Sequence, residues 1–133
     1  MDKKEIYSEF EIWLDELLDK AVIPEETSAF NFNFYEESEE DCIFGIQLIA
    51  SDQFDEDDDD WPCAEAWSSE EDIFYIDFSD EEKHSRDDAY AVMKSLVCSY
   101  LDGGKHRGML KSTKAVGAGF IDGELELVYR NGK

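Results

Sequence analysis

The chain has few positive charges, and they are unevenly placed. Only 12 of its 133 residues are Lys or Arg, against 35 Asp or Glu, which gives a formal net charge of −23. Residues 21–82 contain 22 acids and no Lys or Arg, whereas residues 105–133 carry six Lys or Arg and three acids. Because such a chain repels polyanions, the sequence argues against direct binding to nucleic acid or an anionic membrane and favours a cationic partner.

The sequence also lacks the usual marks of secretion and of membrane insertion. Its three cysteines, Cys42, Cys63 and Cys98, have no C-x-x-C spacing, so neither a disulfide framework nor a structural zinc site is expected. No signal region is present, and no run approaches the roughly 18 apolar residues that cross a bilayer. We therefore expect a cytoplasmic protein with reduced thiols and no membrane association.

Recognisable catalytic motifs are missing as well. The two histidines, His84 and His106, lie in polar stretches, and the chain has no G-x-S-x-G, phosphate-binding glycine loop or H-E-x-x-H. The segment "VGAGF" at residues 116–120 lacks nucleotide-binding spacing, and its glycines are predicted to allow close packing or a bulge. The sequence indicates a protein that is not an enzyme, with no catalytic residues and no cofactor.

Helical periodicity occurs in two long segments. Residues 3–21 place apolar side chains on one helical face, and residues 85–104, "SRDDAYAVMKSLVCSYLDGG", repeat that spacing with Ser85 as N-cap and Gly103 as a left-handed C-terminal residue. A short basic helical turn is predicted over 105–112. Both long helices are amphipathic and should pack on a sheet.

Strand patterns fill the remaining sequence. Phe30, Phe32 and Phe34 alternate with asparagines, residues 42–50 are apolar on both faces, and residues 72–78 alternate again. A terminal hairpin is predicted around a two-residue turn at Asp122-Gly123. The predicted fold is α+β: one domain over 1–133, with a mostly antiparallel sheet of about five strands and two long helices packed on it.

The stretch "SDQFDEDDDDWPCAEAW", residues 51–67, places six consecutive acids directly before a tryptophan. A calcium loop of the EF-hand type beginning at Asp55 would need Gly and Glu where Asp60 and Ala66 stand, so no metal site is predicted. The acids are either a solvated loop or part of a surface for a basic protein, in which carboxylates surround aromatic contacts. Trp61 and Trp67 either point inward and fasten the loop or point outward and contact the partner. The candidate partner-binding residues are Asp55, Glu56, Asp57, Asp58, Asp59, Asp60, Trp61, Trp67, Glu70, Glu71, Asp72 and Tyr75.

Several segments together resemble a known class of proteins. The amino-terminal amphipathic helix, "DDDDWPCAEAW" followed by "DIFYIDF", "YLDGGKHRGML" and the terminal "KAVGAGFIDGELELVYR" resemble the small immunity proteins of bacterial polymorphic toxin and contact-dependent growth inhibition systems. The resemblance implies stoichiometric binding of a cognate toxin domain, often a nuclease whose cleft must be cationic to hold phosphates. Two alternatives remain at this stage: an acidic mimic of DNA that regulates a nucleic-acid-binding protein, and a protein that responds to divalent cations.

Overall fold

The computed structural model describes most of the chain, and the two long helices have the predicted positions. The described residues are 3–38, 42–55, 57, 61–70, 72–78, 86–121, 123 and 125–130. Helix α1 spans Lys3–Lys20, α2 spans Arg86–Gly103 and the short α3 spans Arg107–Lys111. The predicted N-cap Ser85 lies outside the described residues. No helix in the described part of the chain combines the length and apolar character needed to cross a membrane.

Six strands form one mixed sheet, which confirms the predicted α+β class. They are β1 (Ala29–Ser38), β2 (Ile43–Ser51), β3 (Glu65–Ser68), β4 (Phe74–Asp77), β5 (Ala115–Phe120) and β6 (Glu126–Arg130). The order along the sheet is β3-β2-β1-β5-β6, and β4 also pairs with β2. All pairs are antiparallel except β1 with β5. Strands β3 and β4 therefore share one edge of β2.

One face of the sheet, which we call the helix face, carries the main core. Phe30, Phe32 and Phe34 alternate onto this face, where they meet the apolar sides of α1 and α2. Two contacts join the helices to each other and to the α2–α3 connection: the buried Tyr100 phenol donates to Asp15 Oδ1 at 2.6 Å and accepts from the His106 backbone N–H at 3.1 Å. The core thus lies between this face and the two helices.

Three local predictions were wrong. Gly103 does not adopt a left-handed conformation, since no described glycine has a positive φ; Gly104, one residue later, instead packs tightly against the Tyr100 ring. The last hairpin is not joined by two residues, because β5 ends at Phe120 and β6 begins at Glu126. Strand β3 lies in a segment that the sequence predicts to be a loop, because four residues in an acidic segment are too few to show periodicity.

Candidate partner-binding surface

The second face of the sheet, which we call the outer face, has two halves with different coverings. At one end, Trp61 and Phe54 of the β2–β3 connection, with Leu125 and Leu127, pack over Ala29 and Ala115; we call this the capped half. Gly117 belongs to it, since a Cβ there would lie 3.2 Å from Trp61 Cζ2 and 2.5 Å from Asn31 Oδ1. The close packing and bulge predicted at the glycines of "VGAGF" are both present, because the β5–β6 register shifts between Val116 and Gly117. Small residues on neighbouring strands thus make room for the indole.

Trp61 is therefore not available as a partner contact, which corrects its place among the predicted site residues. Its side chain is only 4% exposed, its ring meets that of Phe54 edge to face at 5.4 Å, and its carbonyl accepts from Ser51 Oγ at 2.7 Å. Phe54 and Trp61 flank the acid run in the sequence, and both rings pack on the outer face. Of that run, Asp55 and Asp57 are exposed, and Asp55 Oδ1 accepts from the Asp57 backbone N–H at 2.9 Å. Glu56, Asp58, Asp59 and Asp60 lie outside the described residues.

The next predicted site residues along the chain do not lie together on the outer face of the sheet. Trp67 pairs with Ala50 and so points to the helix face, where it is partly buried against the main core. Asp72 is exposed, but its Oδ1 accepts from the Trp13 indole N–H at 2.9 Å and joins the β3–β4 connection to α1. Neither residue lies beside Tyr75 on the outer face. Glu71 lies outside the described residues.

The uncovered end of the outer face, which we call the open half, carries a chain of hydrogen-bonded amides. Asn31 Nδ2 donates to Asn33 Oδ1 at 2.6 Å, and Asn33 Nδ2 donates to Gln47 Oε1 at 3.1 Å. Gln47 Oε1 also accepts from the Tyr35 phenol at 2.7 Å, and Gln47 Nε2 donates to the Glu70 carbonyl at 3.0 Å. Asn31 is buried and its Oδ1 has no hydrogen-bond partner, so the chain leads from the covered part of the outer face to the exposed Glu70, and its bonds restrict the side chains of Asn33 and Gln47.

Two tyrosines flank a glycine in one row across three strands of the open half. Gly45 pairs with Tyr35 on β1 and with Tyr75 on β4. A Cβ on Gly45 would lie 3.6 Å from Tyr75 Cδ1, 3.6 Å from Glu37 Cγ and 2.8 Å from Ile73 Cγ2. The glycine therefore allows an aromatic ring and the stem of a carboxylate to converge over β2. Tyr75 is 54% exposed, as alternation within "DIFYIDF" predicted.

Glu70 is held at the rim of the open half in an uncommon backbone conformation. Its φ is 53°, a left-handed value that side-chain-bearing residues other than Asn and Asp rarely adopt. The Ser68 hydroxyl accepts from the Glu70 N–H at 3.0 Å, and Gln47 donates to its carbonyl. Non-glycine residues persist in such conformations only where the surroundings fix them. The two hydrogen bonds therefore fix the backbone of the exposed Glu70 at the rim of the open half.

Three carboxylates in and around the open half, those of Glu37, Glu65 and Glu70, have no cationic partner within the described part of the chain. The ion pairs found there join Arg86 to Glu36, Lys94 to Glu126, and Lys105 and His106 to Asp19. None involves Glu37, Glu65 or Glu70. Burial is the largest cause that raises the pKa of the Tyr35 phenol; a hydrogen bond with Asn33 lowers it, and the negative charges of Glu65 and Glu37 raise it further. The open half is consequently a strongly negative surface.

Two other kinds of site, a metal site and a site built on a histidine, can be considered among the described residues. There, no three His, Cys, Asp or Glu side chains are grouped closely enough to hold a metal ion. His106, expected to be solvated, has a side chain only 18% exposed, and its Nε2 lies 2.7 Å from Asp19 Oδ1. Hydrogen bonds from Lys105 and His106 lower the pKa of Asp19, so this group joins α1 to the α2–α3 connection. His84 lies outside the described residues.

The sequence missed half of this surface. Of the predicted site residues that the structure describes, Tyr75 lies in the open half and Glu70 at its rim, together with Tyr35, Glu37 and Gln47. In β1, asparagines alternate with the core phenylalanines and so lie on the face opposite the core. The same alternation, continued two and four residues beyond Asn33, predicts that Tyr35 and Glu37 also lie on that face. Gln47 had a weaker signal, as the one polar residue among those of residues 42–50.

No protein-family model matches this chain, and neither a curated protein nor a solved structure gives a match. Functional inference therefore depends on the chemistry of the surface itself.

Proposed function

We propose that this protein binds a cationic protein domain and inhibits it by occupying its surface, in the manner of an immunity protein that neutralises a bacterial toxin. The observation that carries the proposal is the unbalanced negative charge of the open half. Strands β1–β4 all lie within residues 21–82, where the sequence has no Lys or Arg. Carboxylates fixed on a rigid sheet, without internal cations, are suited to a partner that supplies those cations.

The target that best fits this surface is a nuclease domain. An enzyme that cleaves nucleic acid needs a cationic cleft for phosphates, and a rigid acidic surface can occupy that cleft in their place. Long-range attraction between opposite fields raises the association rate, and the effect weakens with salt. Inhibition would be stoichiometric and would involve no turnover by this protein.

The proposal can be tested with a purified toxin domain and two charge-matched variants. The probe is the carboxyl-terminal domain encoded by a neighbouring toxin gene. One variant carries Glu37→Gln, Glu65→Gln and Glu70→Gln in and around the open half; the other carries Glu5→Gln, Glu9→Gln and Glu16→Gln on the exposed side of α1. Both remove three negative charges, so only their position differs.

We expect a one-to-one complex that abolishes the toxin's activity. At low salt the open-half variant should associate about ten-fold more slowly than wild type, and the α1 variant about two-fold or less. Equal slowing by both variants would mean that net charge, and not this surface, directs binding. Absence of a complex would contradict the proposed function, and competition by duplex DNA across unrelated cationic proteins would favour a DNA mimic instead.

A further inference from the structure

Tyr75 is the exposed aromatic residue of the outer face. The large apolar side chains that are exposed in the described part of the chain are Ile12, Val22, Tyr75 and Ile121, and of these only Tyr75 is aromatic. Its neighbours on β4, Phe74 and Ile76, are buried on the helix face, so alternation along the strand directs the Tyr75 side chain to the outer face. An aromatic ring on a rigid strand loses little conformational freedom when a partner covers it.

The surroundings of that ring suit one kind of cation. Glu37 and Tyr75 approach the same position over Gly45, since Glu37 Cγ and Tyr75 Cδ1 each lie 3.6 Å from the place of a Cβ, with Ile73 Cγ2 at 2.8 Å beside them. A carboxylate beside an exposed ring can accept two hydrogen bonds from a planar guanidinium while the ring stacks on it. A lysine ammonium is a compact, strongly hydrated charge and gains less from such a pair.

The protein's own cations already cover aromatic rings elsewhere. The Arg86 guanidinium lies 4.0 Å from the centre of the Phe120 ring, and Lys111 Nζ lies 5.8 Å from that of Tyr129. Both cations and both rings lie outside residues 21–82. No described cation occupies the corresponding position over Tyr75, and the segment that contains Tyr75 has no Lys or Arg to supply one.

We infer that the open half is an arginine-binding surface, in which Tyr75 stacks on a guanidinium of the partner while Glu37 accepts its hydrogen bonds. The occupant is an arginine-bearing segment of a basic protein, and this inference rests on the proposed function. It assigns the aromatic contact to Tyr75 and excludes the buried Trp61. Glu65 and Glu70 contribute negative charge at the rim.

The direct test compares two synthetic peptides of equal charge, nona-arginine and nona-lysine, at one fixed ionic strength. Titration calorimetry with wild type should show about two- to five-fold tighter binding of the arginine peptide. Tyr75→Ala should remove that preference, while Tyr75→Phe, which keeps the ring, should retain it. Val22→Ala, which shortens an exposed apolar side chain outside this surface, is the matched control and should leave the preference unchanged.

Equal affinity of wild type for the two peptides would overturn the inference, as would an arginine preference that survives in Tyr75→Ala. Because Tyr75 is half exposed, Tyr75→Ala should stay folded at the assay temperature, and its thermal melt checks that loss of preference is not due to unfolding. Binding measurements with the toxin domain then distinguish failure of this inference from failure of the proposed function. If Tyr75→Ala binds that domain like wild type, the inference fails and the proposed function survives. If the arginine preference holds but no toxin domain binds, the proposed function fails alone.

Discussion

The two halves of the outer face share β1 and β2, but residues of the β2–β3 connection cover one half and leave the other open to solvent. In the capped half, Ala29, Ala115 and Gly117 leave a space that Trp61 fills, and the indole is almost completely buried. In the open half, Tyr35, Gln47 and Tyr75 stand over the strands, and the Tyr75 ring remains half exposed. In the capped half the indole lies over the small residues, whereas in the open half the side chains of Glu37, Ile73 and Tyr75 already lie over Gly45.

This contrast explains why one loop combines six acids with a tryptophan. Six adjacent carboxylates repel one another, and nothing within residues 21–82 can neutralise them. Burial of Trp61 against Phe54, Ala29 and Ala115 contributes apolar stabilisation that offsets this repulsion. Trp61 therefore stabilises the capped half, whereas Tyr75 in the open half stays exposed.

The largest expected effect is the loss of Trp61. Because the indole is 4% exposed and fills a preformed space, Trp61→Ala should lower the free energy of unfolding by about 3–5 kcal/mol. Urea denaturation followed by circular dichroism measures that change. Trp67→Ala is the control, because Trp67 is only partly buried and its removal should cost clearly less. Equal losses for the two variants would contradict the assignment of Trp61 to a packed interior.

A smaller contrast is expected between two glycines, one from each half. A Cβ at Gly117 would lie 2.5 Å from Asn31 Oδ1 and 2.9 Å from Leu125 Cδ1, and Asn31 is buried, so Gly117→Ala should cost about 1–3 kcal/mol. At Gly45 the one contact under 3.0 Å is Ile73 Cγ2, and Ile73 is partly exposed in the connection before β4, so this residue can shift away from a new methyl group. Gly45→Ala should therefore cost less than about 1 kcal/mol.

Thermal unfolding of the two glycine variants beside wild type provides the measurement. Neither glycine has a positive φ, so backbone conformation does not confound the comparison. If Gly45→Ala proved the more destabilising of the two, the two halves could not differ in packing as described.

The sequence predicted those parts of the fold that depend on neighbours along the chain. Helical spacing located α1 and α2, and alternation located β1 and the exposed position of Tyr75, because each signal is complete within about ten residues. The direction of Trp61 depends on Ala29, Ala115 and Gly117, which only the parallel pairing of β1 with β5 brings together. No local pattern contains that information, so the inward orientation of the indole could not be read from the sequence.

The surface was missed for a related reason. Tyr35, Gln47 and Tyr75 come from three strands, and their common row depends on register rather than on spacing in the chain. The acid run can be recognised in the sequence because its residues are adjacent. Adjacent carboxylates identify a charged segment, whereas a binding surface needs groups that the fold places side by side.

The smallest expected effect is a change in the titration of Tyr35 in the open half. Burial first, and then the charges of Glu65 and Glu37, raise the pKa of this phenol above its ordinary value of 10.0. A raised pKa in the folded state favours the protonated phenol, so its contribution to stability is complete below pH 10.0 and is lost as pH rises through the folded pKa.

Spectrophotometric titration of phenolate absorbance can isolate this group, because Tyr35→Phe removes one ionisation step and so identifies it. Neutralising the two neighbours with Glu37→Gln and Glu65→Gln should move that step toward lower pH, and part of the elevation should remain because burial is its larger cause. Glu5→Gln with Glu9→Gln, the control on α1, removes the same charge and should leave the step in place. A Tyr35 step that did not move when its neighbours were neutralised would show that their carboxylates lie too far from the open half to act on a partner there.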